Sequence, residues 1–275
     1  MRRLATICAL LVYYVSVQAQ ITYTPADSII AVDILQQDCK GTVAIASSLL
    51  NIPYVAGTLD KDSIEKLTVN LREFDCTTFV DQVAALAITK NSNKSSFEDF
   101  CSTLRLLRYR DGECHNYPDR LHYVSWWIEE CSRLGLINEI RGEAHTATQL
   151  LNLNFMSSHP EAYKMLRQNP ELIKEIKKHE EPFNNIRVAY IPKERLNGNN
   201  QELSIKDGDI LAIVTTIKGL DVSHIGFALW QQNNLHLIHA SSIKGETIID
   251  EQTLFDYLKD KKKSLGIRVF RIKDK

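Results

Sequence analysis

The chain has 275 residues, a formal net charge of −1, 24% charged and 44% hydrophobic residues. That balance excludes a disordered polymer and supplies enough apolar side chains for a full core. Near-neutral charge also excludes the broad electrostatic footprint of a nucleic-acid binder: the densest basic runs, Lys174 to Lys178 and Lys259 to Lys263, are mixed with or flanked by acidic and apolar helical positions and read as solvated helix faces.

Met1-Arg2-Arg3, an apolar stretch from Leu4 to Val15 and the small residue Ala19 predict a bacterial secretory signal over residues 1–19. The stretch is too short to span a bilayer, so the expected product is secreted across the inner membrane into the periplasm with no membrane span. Residues 20–275 are expected to form a single enlarged domain, because no Pro/Gly/Ser-rich linker divides them. Cys8 leaves with the signal. The remaining Cys39, Cys76, Cys101, Cys114 and Cys131 are an odd set, so at least one thiol has no intrachain partner. Cys76 is the natural candidate; the other four read as buried thiols or as an unassignable disulfide.

Cys76 lies in Phe74-Asp75-Cys76-Thr77-Thr78-Phe79-Val80, where Asp75 is a plausible N-cap and Phe79, Val80, Val83, Ala84, Leu86 and Ala87 form a wide apolar stripe. The spacing predicts a helix with Cys76 in its first turn. A thiol there feels the positive helix end and unpaired backbone N–H groups, which lower its pKa and make it a nucleophile. Its own N–H is a candidate oxyanion donor. A structural cysteine at a helix start is the competing reading.

From about 90 to 205 the pattern is mainly helical: Phe97 to Leu107, Tyr123 to Leu136, Glu161 to Gln168 and Glu171 to Lys178 carry apolar residues at three- and four-residue spacing, with Pro160 and Pro170 at the starts of the last two. Short β-branched runs follow at Ile210 to Val214, Ile225 to Trp230, Leu235 to Ala240 and Ile267 to Ile272, with a late helix from Thr253 to Lys259. Helices first and strands second predict an α+β fold.

Trp230 and Leu235 flank Gln231-Gln232-Asn233-Asn234, and an even loop pairs positions whose numbers sum to 465. His224 and His239 then share a face as diagonal neighbours, about 7 Å apart or less. One imidazole can orient the other, which is what a general base requires. An odd loop would separate them.

These pieces resemble the NlpC/p60 papain-like cell-wall hydrolases: Ile52-Pro53-Tyr54-Val55-Ala56-Gly57, Asp75-Cys76-Thr77-Thr78-Phe79-Val80, Asp207-Gly208-Asp209-Ile210, Ser223-His224-Ile225-Gly226 and His239-Ala240-Ser241 occur in the family's order. The resemblance implies a papain-like core with a nucleophile helix packed on an antiparallel sheet. It makes Cys76 the nucleophile, His224 the general base and acid, and His239 the orienting residue, with Tyr54 and Ser223 beside the substrate. Asp209 reads as a strand-start turn residue.

The long helical insertion between Cys76 and His224 departs from compact members. It resembles an N-acetylmuramoyl-L-alanine amidase-like branch through Tyr117-Pro118-Asp119-Arg120-Leu121-His122-Tyr123, Phe155-Met156-Ser157-Ser158-His159-Pro160 and Tyr190-Ile191-Pro192-Lys193. Within it, Arg120 is expected to bind a peptide carboxylate bidentately and His122 to line the groove.

The implied activity is cysteine-dependent hydrolysis of peptidoglycan fragments, muropeptides, at the amide between the muramic acid lactyl group and L-alanine. A γ-D-glutamyl-diamino-acid endopeptidase, a thiol acyltransferase and a non-catalytic peptidoglycan-binding protein are the alternatives. No cofactor or metal is called for: Cys114-His115 with His122 and Cys131 match no usual zinc spacing, no His-Glu-x-x-His occurs, and no Gly-x-Ser-x-Gly elbow marks a serine hydrolase. Oligomeric state has no signature here.

Overall fold

The computed structural model describes residues 21–38, 41–197 and 200–273; the expected signal and Cys39 lie outside them. The helices are α1 (Pro25–Gln36), α2 (Thr42–Ser47), α3 (Cys76–Asn91), α4 (Phe97–Arg108), α5 (Val124–Arg133), α6 (Phe155–Ser158), α7 (Lys164–Gln168), α8 (Leu172–Glu180), α9 (Asn200–Leu203) and α10 (Leu254–Lys259). The strands are β1 (Ile21–Thr22), β2 (Leu67–Thr68), β3 (Ile137–Ile140), β4 (Ala147–Leu151), β5 (Ile186–Pro192), β6 (Ile210–Thr215), β7 (Val222–Gln231), β8 (Asn234–Ser241), β9 (Glu246–Ile249) and β10 (Ser264–Ile272). Among them no helix is long and apolar enough to cross a membrane.

The fold is α+β, as expected. A parallel pair, β1 and β2, stands apart from an eight-stranded antiparallel sheet in the order β4-β5-β10-β6-β7-β8-β9, with β3 also paired to β10. The long strand β10 therefore has β6 on one side and both β5 and β3 on the other. Where it meets β5, a Cβ on Gly266 would stand 2.0 Å from the Ile191 carbonyl oxygen, so only glycine permits that approach.

The segment from 90 to 205 is not simply helical. It holds α4 to α9, but it also contributes β3, β4 and β5, three strands that widen the sheet built by β6 to β10. Helical spacing was legible there because helices are local; these short strands find their partners far along the chain. The helix expected to run to Leu136 ends at Arg133, where Gly135 turns left-handed (φ 71°) and the Leu136 N–H returns to the Cys131 carbonyl.

Helix α3 is the hub. Every residue from Thr78 to Thr89 is buried, so the predicted apolar stripe is in fact a core helix packed between the sheet and the other N-terminal helices. Its buried polar groups are paired: Gln82 bonds both the N–H and the carbonyl of Asn70, and Asp81 pairs with Arg108. Phe74, Phe79 and Phe227 form an edge-to-face chain with centroid separations of 5.5 and 5.8 Å. That chain ties the start of α3 to β7.

Candidate active site

The start of α3 is held by reciprocal bonds. Asp75 Oδ1 accepts the Thr78 N–H at 2.8 Å, and Thr78 Oγ1 accepts the Asp75 N–H at 2.9 Å, the capping box that the Asp-Cys-Thr-Thr spacing allows. Cys76 is consequently the first helical residue, and its N–H has no intrahelical acceptor.

The β7–β8 turn settles the hairpin register. Gln232 and Asn233 both adopt positive φ, 49° and 65°, and the pairs Trp230–Leu235 and Phe227–Ile238 keep the even register. His224 Nε2 and His239 Nδ1 stand 2.6 Å apart with rings nearly perpendicular. Gly226 makes room for this contact: a Cβ there would meet the Ile238 carbonyl oxygen at 2.7 Å and His239 Cβ at 2.9 Å.

Cys76, Ser223, His224 and His122 line one small cavity of about 130 Å³, closed on its insertion side by Tyr123 and Val124 and on the strand side by Leu220 to Val222. Ser223 also faces a second cavity of about 220 Å³ with His224, His239, Ser241, Ser242 and Lys261. Tyr54 belongs to a segment pinned between Phe74 and the β8–β9 hairpin, its N–H donating to Gly245 O at 2.7 Å. Burial, then the neighbouring Cys76 and Asp75 charges, raise its phenol pKa, so it stays a hydroxyl donor.

Two expectations need correction. Arg120 offers no free fork: its Nε and Nη2 bind the two oxygens of Glu65 at 2.9 and 2.6 Å, and Nη1 binds Asp60 at 2.9 Å, all with Arg120 only 8% exposed. A bidentate substrate contact would have to displace Glu65, so the residue braces the insertion against the 59–65 segment. The thiol pKa is the second. Burial pushes Cys76 up to about 11, and the Asp75 carboxylate adds to the rise; the Thr77 hydroxyl and the N–H groups of Ile225 and Thr77 oppose it without prevailing.

His224 is held down at about 3 by burial, then by the positive charge His239 and Lys261 would oppose to its own. With the thiol raised and the imidazole lowered, both groups are neutral near pH 7. His122, lowered to about 3 by burial and Arg120, is neutral as well; its Nε2 donates to the Tyr117 carbonyl at 2.9 Å, which leaves Nδ1 as an acceptor.

Four residues had no signal in the sequence. Asp221, in the β6–β7 loop, accepts the Ser125 N–H at 2.6 Å and so caps α5 from nearly a hundred residues away, fixing the insertion wall beside His224. Asp250 stands 3.4 Å from His239 Nε2. Tyr257 meets the His239 ring edge at 5.7 Å, and Lys261 sits over the Tyr257 face at 3.1 Å.

Comparison with known proteins follows the same outline. Residues 44–267 match the family described as AmiA-like, N-acetylmuramoyl-L-alanine amidase-like. A crystal structure of an N-acetylmuramoyl-L-alanine amidase from Bacteroides uniformis is 39% identical, with a TM-score of 0.79 over 84% of this chain and 97% of that one. A Bacteroides fragilis structure provisionally named a xylanase is equally similar, 39% identical with a TM-score of 0.79 over 84% and 100%. A Legionella pneumophila protein, 23% identical with a TM-score of 0.64 over 90% and 94%, shares the fold. No curated protein matches. The chain belongs to the AmiA-like, N-acetylmuramoyl-L-alanine amidase-like family.

Proposed function

We propose that the protein is a peptidoglycan amidase that cuts the amide between the muramic acid lactyl group and L-alanine of muropeptides, using Cys76, His224 and His239 in a papain-like, NlpC/p60-type arrangement. The observation that carries this reading is the 2.6 Å contact between the two imidazoles, one of which shares a small cavity with a half-buried cysteine at a helix N-terminus. Family membership and the Bacteroides uniformis amidase support the bond assigned.

In the mechanism, His224 removes the Cys76 proton as sulfur attacks the carbonyl, because neither group is charged beforehand. The free N–H of Cys76 at the helix start stabilises the oxyanion, and the Tyr54 hydroxyl, kept protonated, is the second donor of this reading. His224 then protonates the departing L-alanine nitrogen and activates water to release the lactyl acid. His239 orients His224 throughout.

A glycosidase reading, prompted by the Bacteroides fragilis name, finds no free carboxylate pair beside Cys76 among the described residues. Near the nucleophile Asp75 caps α3, Asp81 pairs with Arg108, and Asp60 pairs with Arg120. A lipid acyltransferase would want a wide apolar groove, and the cavity beside Cys76 is small and lined by His122, Asp221 and Ser223. We further propose that the protein acts after export, as one enlarged catalytic domain, given the signal expected at residues 1–19.

The test is mass spectrometry of products from disaccharide-tetrapeptide muropeptides incubated with wild type and Cys76→Ala. Free disaccharide plus intact tetrapeptide, absent with the variant, is the expected result. Release of the disaccharide carrying L-Ala-D-Glu would replace the amidase with the endopeptidase, and Cys76-independent turnover would sink both.

A further inference from the structure

The imidazole pair leaves one buried polar atom in need of a partner. His239 is 0% exposed, its Nδ1 is engaged by His224, and its Nε2 makes no close hydrogen bond; the nearest acceptor is Asp250 Oδ2 at 3.4 Å. Asp250 is itself 9% exposed and held in place from three directions. Its N–H donates to Leu237 O at 2.8 Å, its carbonyl meets His236 Nδ1 at 3.0 Å, and its Oδ1 accepts the Gln252 N–H at 2.9 Å. With Oδ1 occupied, Oδ2 is the oxygen turned to His239.

We propose that Asp250 is a positioning residue that selects the proton arrangement of the two histidines, making His224 Nδ1 the base. The inference rests on the Cys76–His224–His239 reading above. A carboxylate only accepts, so His239 Nε2 must carry the hydrogen. A neutral imidazole has one N–H, so His239 Nδ1 is then a lone pair and the 2.6 Å contact requires a hydrogen on His224 Nε2. His224 Nδ1 is left as the lone pair available to the thiol. Reversed, with His239 Nδ1 as donor, the same contact would leave His224 Nδ1 protonated and unable to act as a base.

The remaining groups around His239 do not make this choice. His224 lies on β7 and accepts either polarity; the Tyr257 ring on α10 presents an edge-to-face contact; Lys261 is cationic and opposes a gained proton. Asp250 is the carboxylate that raises the His239 pKa against burial.

Long-range ¹H–¹⁵N spectra of the ¹⁵N-labelled protein read imidazole tautomers directly. Both His224 and His239 are expected as Nε2–H in wild type, and as a mixture or the reverse in Asp250→Ala. On the muropeptide substrate, Asp250→Ala should lower kcat by about tenfold or more with KM unchanged, as loss of a tautomer-selecting carboxylate does. Its acid limb in kcat/KM should move to lower pH, and Asp250→Glu should restore part of the rate. His239 found as Nδ1–H in wild type, tautomers unchanged in Asp250→Ala, or kcat unchanged would each overturn the proposal. The expected tautomers combined with Cys76-independent turnover would overturn the nucleophile reading alone and leave the hold of Asp250 on the imidazoles standing.

Discussion

Phe79 and Phe227 meet edge to face at 5.8 Å, and each lies three residues after a residue of the site: Phe79 after Cys76, Phe227 after His224. The contact therefore sets how deep the first turn of α3 sits against β7. Phe79→Ala should cost about 3 to 5 kcal/mol, because both the ring and the cavity it leaves count against the folded state. Urea denaturation measures this directly. Phe227→Leu, a smaller deletion, should leave a folded enzyme whose kcat falls more than its KM rises.

Thiol reactivity should follow from the two opposed displacements, Cys76 up to about 11 and His224 down to about 3. Alkylation by iodoacetamide needs the thiolate, so the rate should climb steadily across pH 6 to 9 with no plateau. A plateau below pH 7 would mean that a preformed thiolate–imidazolium pair exists in the free enzyme.

Glu65 and Arg120 form a fork-to-fork pair in which Glu65 is 8% exposed. Removing one partner strands a buried charge, so Glu65→Gln or Arg120→Met should lower stability by about 3 to 5 kcal/mol. The double variant should recover part of the loss. Normal stability with a raised KM in Arg120→Met would instead return the guanidinium to the substrate.

Asp221→Ala deletes the cap on α5 and should cost about 1 to 2 kcal/mol. Because that cap also moors the His122–Val124 wall, limited proteolysis should cut residues 110–180 faster in the variant while circular dichroism stays near wild type.

Gly226→Ala introduces a Cβ against backbone, 2.7 Å from the Ile238 carbonyl oxygen, which cannot swing aside as a side chain would. The strands must part where the two histidines meet. Activity should drop well below that of Gly142→Ala, whose added Cβ comes no nearer than 3.4 Å to the Ser204 side chain; comparing the two kcat values checks it.

Much of the site was legible because its determinants are local. The Asp75 cap is encoded within four residues, and the register of His224 against His239 follows from the Gln232-Asn233 turn. What stayed hidden depends on distant partners: Glu65 lies 55 positions from Arg120, and Asp250 is one of two adjacent acids after a short strand, whose meaning comes only from facing His239. The direction of the Cys76 pKa was misjudged for the same reason. Helix position is a local property, whereas the burial that outweighs it depends on parts of the chain far from Cys76, among them Tyr123, Val124 and Leu220, which line the same cavity. Strands β3, β4 and β5 escaped notice because their pairing with each other and with β10 is not written in their own short segments.

The placement of β10 bears on when this chain can fold. A strand formed from residues 264–272 lies between β6 and the insertion strands, so every earlier strand on the β5 side waits for it before joining the β6–β9 sheet. A ribosome-bound chain lacking those residues would carry two unfinished sheet edges and no route to unite them. Arrival of β10 thus acts as a timer for the outer strands, holding β3, β4 and β5 apart from the β6–β9 sheet until late in synthesis.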